Sequence, residues 1–242
     1  MRNIVLLDNK IPDEQFANWR VEDIEFWNKY VGITPTYVVL RQDYTEYPTF
    51  IDSDGDIRPT NAYLQSLNDF VTSITGEFGV DFILVVVHKD NWRSDPPGPG
   101  NGIWGTNYSY HFGKQTLQYC RWDSDKPLNS FGTLYHERHH SLDAIIKQEL
   151  GVVVEPLLGV PVGKYDAGIT HGKCEPWKYI RVKENTDSLV KMKPLLLKAF
   201  AKRRERQRLE NSNEQNVVAR VINYLSYIYR MRLNEKVGVK KV

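Results

Sequence analysis

The segment Val80-Asp81-Phe82-Ile83-Leu84-Val85-Val86-Val87-His88 decides the fold class, because it is almost continuously apolar. A half-exposed strand alternates apolar and polar residues, whereas an apolar run of this length that is rich in valine is typical of a strand covered on both faces. We therefore predict a central strand over 80–88, in a sheet with other elements packed on both sides.

The segments before this strand predict a sheet with helical connections. Residues 1–8 have the pattern of a first strand, 12–30 that of a helix or helix pair, 34–40 that of a second strand and 61–74 that of a helix. The acidic segment 52–56 begins like a calcium-binding loop. It lacks the glycine and the glutamate that such a loop needs at its sixth and twelfth positions, so we predict an acidic turn there.

The segments after the central strand add strands and then helices. A loop rich in proline and glycine covers 95–102, two further strands are predicted over 103–110 and 116–122, and a helix is predicted over 129–150. Asn129 or Ser130 is expected to cap this helix, and Gly151 is expected to end it.

The last third of the chain changes character at about residue 187. Residues 151–174 predict loops and short strands, and helices are predicted over 189–209 and 217–233. The predicted fold class is therefore α+β, with a mixed sheet in a domain over 1–186 and a C-terminal helical segment over 187–242 packed on it.

Composition excludes several classes of protein. The 242 residues are 41% hydrophobic and 26% charged, with a formal net charge of +2, which does not indicate a polyanionic partner. Two cysteines, Cys120 and Cys174, cannot form a disulfide framework, although one bridge is possible. Charges interrupt the first apolar run before an export signal could form, and no segment has the length of a membrane span. The compartment stays open, because this pattern fits a cytoplasmic enzyme, a phage or virion component, or a mature chain cut from a precursor.

The predicted helix over 129–150 contains His136-Glu137-Arg138-His139-His140, which satisfies the pattern H-E-x-x-H. Residues four apart lie one above the other on a helix, so His136 and His140 can direct both imidazoles at one point, with Glu137 beside them. Two neutral imidazoles suit a zinc ion that keeps a position for water, and an adjacent carboxylate can accept the proton of that water.

The segment resembles the active-site helix of the zincin metallopeptidases, which packs against a mixed sheet. The order of predicted elements before the motif is also similar to the upstream half of that family, and the resemblance covers roughly residues 33–175. It implies a zinc-dependent peptidase in which His136 and His140 are zinc ligands and Glu137 is the general base. Asp143 and Ile146 stand where the metzincin subfamily has glycine and histidine, so we do not expect a metzincin.

The third protein ligand is expected downstream of the motif. We favour His171, because it lies between glycines that let the backbone approach a metal closely. Four acidic residues remain as alternatives: Glu155, Asp166, Glu175 and Glu184.

Several residues near the motif are candidates for supporting roles. Asp143 follows both histidines on the same helical face and is expected to orient one imidazole. Tyr165 is a candidate for polarising the attacked carbonyl, whereas His139 is expected to point away from the metal. Trp104, beside Gly105, is a candidate for lining a cleft next to the motif helix.

Alternative interpretations remain open from the sequence. The motif could be a solvated helix face, or a structural zinc site, and the chain could be a non-catalytic binding protein on a degenerate metallopeptidase fold. The basic run over 198–208 is expected to be the solvated face of an amphipathic helix, so we do not expect nucleic acid as the partner. We also expect no membrane partner, and the resemblance of the motif implies a peptide or protein substrate. The oligomeric state is not predicted.

Overall fold

The apolar segment over 80–88 contains the middle strand of a five-stranded sheet, where the sequence predicted a central strand. The computed structural model describes residues 1–53, 57–92, 105–159, 183–212 and 218–226, with the backbone alone for 129 and 183–186. The strands of the sheet are β1 (Arg2–Asp8), β2 (Thr36–Gln42), β5 (Phe82–His88), β6 (Gly105–Ser109) and β7 (Thr116–Trp122). Between them, β3 (Thr49–Ile51) and β4 (Ile57–Pro59) form a separate antiparallel pair.

The sheet is mixed, in the order β2-β1-β5-β7-β6. The first four strands in this order are parallel to one another, and β6 pairs antiparallel with β7 at one edge. All seven residues of β5 are buried, which confirms the predicted central strand. A sheet of this kind with helices agrees with the α+β class.

The helices connect the strands and continue beyond the sheet. They are α1 (Asp13–Val31), α2 (Asn61–Thr75), α3 (Pro127–His139), α4 (Leu142–Leu150), the short α5 (Glu155–Leu158) and α6 (Lys183–Asn211), and residues 218–226 are also helical. The prediction over 12–30 is confirmed as the single helix α1, and the one over 61–74 as α2. Thr60 caps α2, because its hydroxyl accepts a hydrogen bond from the Tyr63 N–H at 3.3 Å.

Successive residues of the strands point to opposite faces and build two cores. On one face, Leu84 and Val86 of β5 lie in a cluster with residues of α1, α3, α4 and α6. On the other face, Ile83 and Val85 lie in a cluster with Leu64 of α2. Both faces of the central strand are therefore covered, as its composition predicts.

The predicted continuous helix over 129–150 is wrong, since it is broken between α3 and α4. The Ser141 N–H donates to the Arg138 carbonyl at 3.0 Å, which tightens the last turn of α3. The helix also begins earlier than predicted, with Pro127 in its first turn, where a missing N–H is harmless. The Ser130 hydroxyl therefore does not cap the helix and instead accepts the Asp123 N–H at 2.8 Å.

Helix α6 belongs to the main core. Leu189, Met192 and Leu196 are fully buried in the same cluster as Leu84 and Val86 of β5. This helix therefore packs on the same face of the sheet as α1, α3 and α4. The helix begins at Lys183 and ends at Asn211, so it is longer at both ends than the predicted 189–209. The predicted domain boundary at 186/187 stays a prediction, because residues 160–182 lie outside the described part of the chain.

The expectation of a merely solvated face on the basic run is wrong for three of its four arginines, whereas Arg208 is exposed as expected. Arg203 is 1% exposed, and its guanidinium donates to Asp81 Oδ1 at 2.8 Å and to Glu149 Oε1 at 3.0 Å. Arg204 pairs with Asp81, and Arg206 lies 3.1 Å from Glu149 Oε2. A buried charge must be paired, and these pairs join α6 to the start of β5 and to α4.

Candidate metal centre

The two histidines of the motif point at one place at the end of α3. The His140 N–H donates to the His136 carbonyl at 3.3 Å, so the residues keep the one-turn relationship that the spacing predicts. Their Nε2 atoms are 3.0 Å apart, and the rings are nearly perpendicular, at 76°. Two nitrogens that share a tetrahedral zinc ion lie about 3.3 Å apart, so a shift of a few tenths of an ångström fits the pair to a metal.

Glu137 completes a group of three side chains with ligand atoms. One ligand atom from each of His136, Glu137 and His140 lies within 4.8 Å of the others, so this group could hold a metal ion. Glu137 is 6% exposed, and burial raises the pKa of its carboxyl to about 8. A cation at the histidines would favour the ionised form of this carboxyl, because opposite charges stabilise each other in a poorly hydrated site.

Gly105 at the start of β6 allows Glu137 to occupy this position. A Cβ atom on Gly105 would lie 2.6 Å from Glu137 Cγ and 2.7 Å from Glu137 Oε1, which is closer than carbon and oxygen atoms can approach. The glycine therefore makes room for the carboxyl between the edge strand and the helix. The neighbouring Trp104, a candidate for lining a cleft next to the motif helix, lies outside the described residues.

Arg138, inside the motif, anchors the helix on the opposite side. It is fully buried, and Asp23 of α1 accepts two hydrogen bonds from its Nη1, at 2.9 and 2.7 Å. Glu137 and His139 are buried as well, so the interpretation of residues 136–140 as a solvated helix face is not supported. The burial of Arg138 had no signal in the sequence, since charged residues in helices are usually exposed.

The candidates for a third ligand are mostly outside the described residues. This holds for His171, Asp166 and Glu175, and the side chain of Glu184 is not described either. Glu155 begins α5 and is half-buried, but it is not part of the group of three ligand atoms. His171 therefore stays a prediction.

The neighbouring residues are placed as follows. Asp143 lies in the first turn of α4 and is not part of the group of three ligand atoms, so its role in orienting an imidazole stays a prediction. Burial, with a smaller contribution from the charge of Glu155, raises the pKa of Asp143 to about 6. His139 is fully buried with its ring 5.4 Å from that of Tyr135, and it is not part of the metal-binding group. Tyr165 lies outside the described residues.

Two further findings concern relatives of the chain and membrane-spanning helices. Comparison with protein-family models, with curated proteins and with solved structures found no match. Among the described residues, no helix is both long and apolar enough to cross a membrane.

Proposed function

We propose that the chain is a zinc-dependent metallopeptidase that hydrolyses peptide or related amide bonds. The observation that supports this is the convergence of two imidazole nitrogens, 3.0 Å apart, with a buried carboxyl beside them on one helical turn. A site that bound zinc only for stability would need no such carboxyl.

The residues of the group divide the chemistry between them. His136 and His140 would hold the metal, which supplies a Lewis acid and a water of lowered pKa when it is bound. Glu137 accepts a proton from the water that attacks the carbonyl carbon and passes it to the leaving amine. Its buried position suits this task, because a base works best when its pKa lies near the working pH.

The position of β6 supports an extended peptide as the substrate. This strand lies at the edge of the sheet and runs beside the motif helix, with Gly105 against Glu137. An edge strand presents backbone N–H and C=O groups to which an extended peptide can add by hydrogen bonds. A peptide bound there would run alongside the proposed catalytic carboxyl.

Metal analysis and one conservative variant test the proposal. We expect one zinc per purified chain, loss of zinc and of peptidase activity on chelation, and recovery of both on adding zinc. Glu137→Gln is expected to keep the metal and the fold and to lose nearly all cleavage of a fluorescence-quenched peptide library. Glu149→Gln is the matched control, since Glu149 is equally buried but bonds to Arg203, and it should remain active.

Two results would contradict the proposal. Full activity of Glu137→Gln would remove this carboxyl from the mechanism. Stoichiometric zinc without cleavage of any peptide would favour the non-catalytic metal-binding alternative.

For the third ligand, His171→Ala is expected to lower zinc occupancy sharply, and unchanged occupancy would move this role to one of the acidic candidates.

A further inference from the structure

Side chains of β6 and β7 form a hydrogen-bonded cluster around Ser141, where the motif helix ends. The fully buried Ser141 Oγ lies 2.5 Å from Asn107 Nδ2, 3.1 Å from Ser109 Oγ and 3.1 Å from Gln118 Nε2. Ser109 Oγ also donates to Asn107 Oδ1 at 2.5 Å. The last contact orients the amide of Asn107, because its oxygen faces the hydroxyl and its NH₂ group is left to face the helix.

Asn107 supplies a hydrogen bond that the helix itself has lost. In a regular helix, the Glu137 carbonyl accepts the N–H of residue 141. Here the Ser141 N–H donates to Arg138 instead, and Asn107 Nδ2 donates to the Glu137 carbonyl at 2.6 Å. The helix can therefore end directly after His140 without leaving a buried carbonyl unpaired.

We infer that Asn107 is a positioning residue that fixes the metal-binding turn against the edge strand, an inference that rests on the proposed metal site. Asn107 and Gly105 lie on the same face of β6, since they are two residues apart in a strand. Gly105 gives room to the side chain of Glu137, and Asn107 holds its main chain. Together they set the direction in which the two histidines and the glutamate leave the helix.

Loss of the Asn107 amide would release the Glu137 carbonyl from β6. The turn could then return to regular helical pairing with the N–H of residue 141, which would rotate the end of α3 relative to the sheet. A rotation of this kind turns His136, Glu137 and His140 together relative to β6 and to any ligand from another part of the chain, so it weakens metal binding even when the rest of the fold persists. Partners that orient metal ligands typically change metal affinity by about 10–100-fold.

Titration of the full-length, zinc-free chain with Co²⁺, followed by visible absorbance, tests this inference. Asn107→Ala is expected to raise the dissociation constant for Co²⁺ on the order of tenfold and to alter the absorbance spectrum. Asn3→Ala is the matched control, because Asn3 is also a strand asparagine whose amide donates to a backbone carbonyl, that of Thr36, at 3.0 Å. It should leave the dissociation constant within about twofold of the wild-type value, although both variants lower the midpoint of urea unfolding.

Equal Co²⁺ affinity and spectrum for the Asn107→Ala and Asn3→Ala variants would overturn the inference. If Asn107→Ala does not fold, Ser109→Ala decides, because it removes only the hydroxyl that orients the amide. It is expected to weaken Co²⁺ binding in the same direction, and unchanged binding would again overturn the inference. A wild-type chain that binds no Co²⁺ would instead refute the proposed metal site, so the two failures are distinguishable.

Discussion

Replacing Asp23 by alanine is expected to destabilise the chain strongly, because Asp23 is the counter-charge of the buried arginine in the motif helix. Arg138 is 0% exposed and Asp23 is 1% exposed. The guanidinium lies 5.7, 5.7 and 5.4 Å from the ring centres of Trp19, Trp27 and Phe82. Water therefore cannot replace the carboxylate without opening the core between α1, α3 and the sheet.

The expected loss follows from the groups that Asp23 leaves behind. Removing one partner of a buried ion pair costs about 3–5 kcal/mol, because the other charge stays buried. Asp23 also accepts hydrogen bonds from Trp27 Nε1 at 3.1 Å and from the Tyr37 hydroxyl. With these donors included, we expect a loss of roughly 4–6 kcal/mol, a large part of the ~5–15 kcal/mol that stabilises an ordinary protein. In a chain of this size, Tm would fall by roughly 10–20 °C.

Urea unfolding followed by far-ultraviolet circular dichroism measures this loss. Asp13→Ala is the matched control, since Asp13 pairs with Arg41 at the surface and its side chain is 94% exposed, so the midpoint should stay near that of wild type. The double variant Asp23→Leu with Arg138→Met removes both charges and should regain most of the stability. A midpoint for Asp23→Ala as high as that for Asp13→Ala would refute the view that this pair holds the motif helix.

Two further predictions concern Glu137. Gly105→Ala is expected to displace the Glu137 side chain, because the new Cβ would lie 2.6 Å from its Cγ. Peptidase activity should therefore fall at least tenfold, while zinc content stays at the wild-type level. Wild-type activity would show that Gly105 does not set the position of Glu137. Glu137→Gln should stabilise the zinc-free chain at pH 8 but hardly at pH 5, by an amount on the order of a few kcal/mol. The reason is that burial raises the pKa of this carboxyl in the folded chain to about 8, from an ordinary value of 4.5. Between these values the unfolded chain releases the proton and the folded chain keeps it, so wild-type stability falls as the pH rises. Urea unfolding with a chelator at both pH values measures this, and an equal gain at pH 5 and pH 8 would show that the carboxyl is not desolvated.

Patterns that depend on neighbours along the chain predicted individual strands and helices well. The apolar run over 80–88 specified a strand covered on both faces, and the helical spacing over 61–74 specified α2, because periodicity and burial are coupled within one element. The break in the helix at His140 was not predicted, because its cause is not local in the sequence. Residues 129–150 have an unbroken helical pattern, and the partner that allows the helix to end there is Asn107, on a distant strand.

Sequence alone determined that His136, Glu137 and His140 share one turn, because a helix places residues four apart on the same side. Tertiary structure alone decided how buried that turn is, which side chain holds its carbonyl, and which carboxylate neutralises Arg138. These contacts join residues that lie 30 and 115 positions apart, and no local pattern encodes them. Burial depends on which elements pack together, so the surroundings of the site follow from the folded chain and not from the motif.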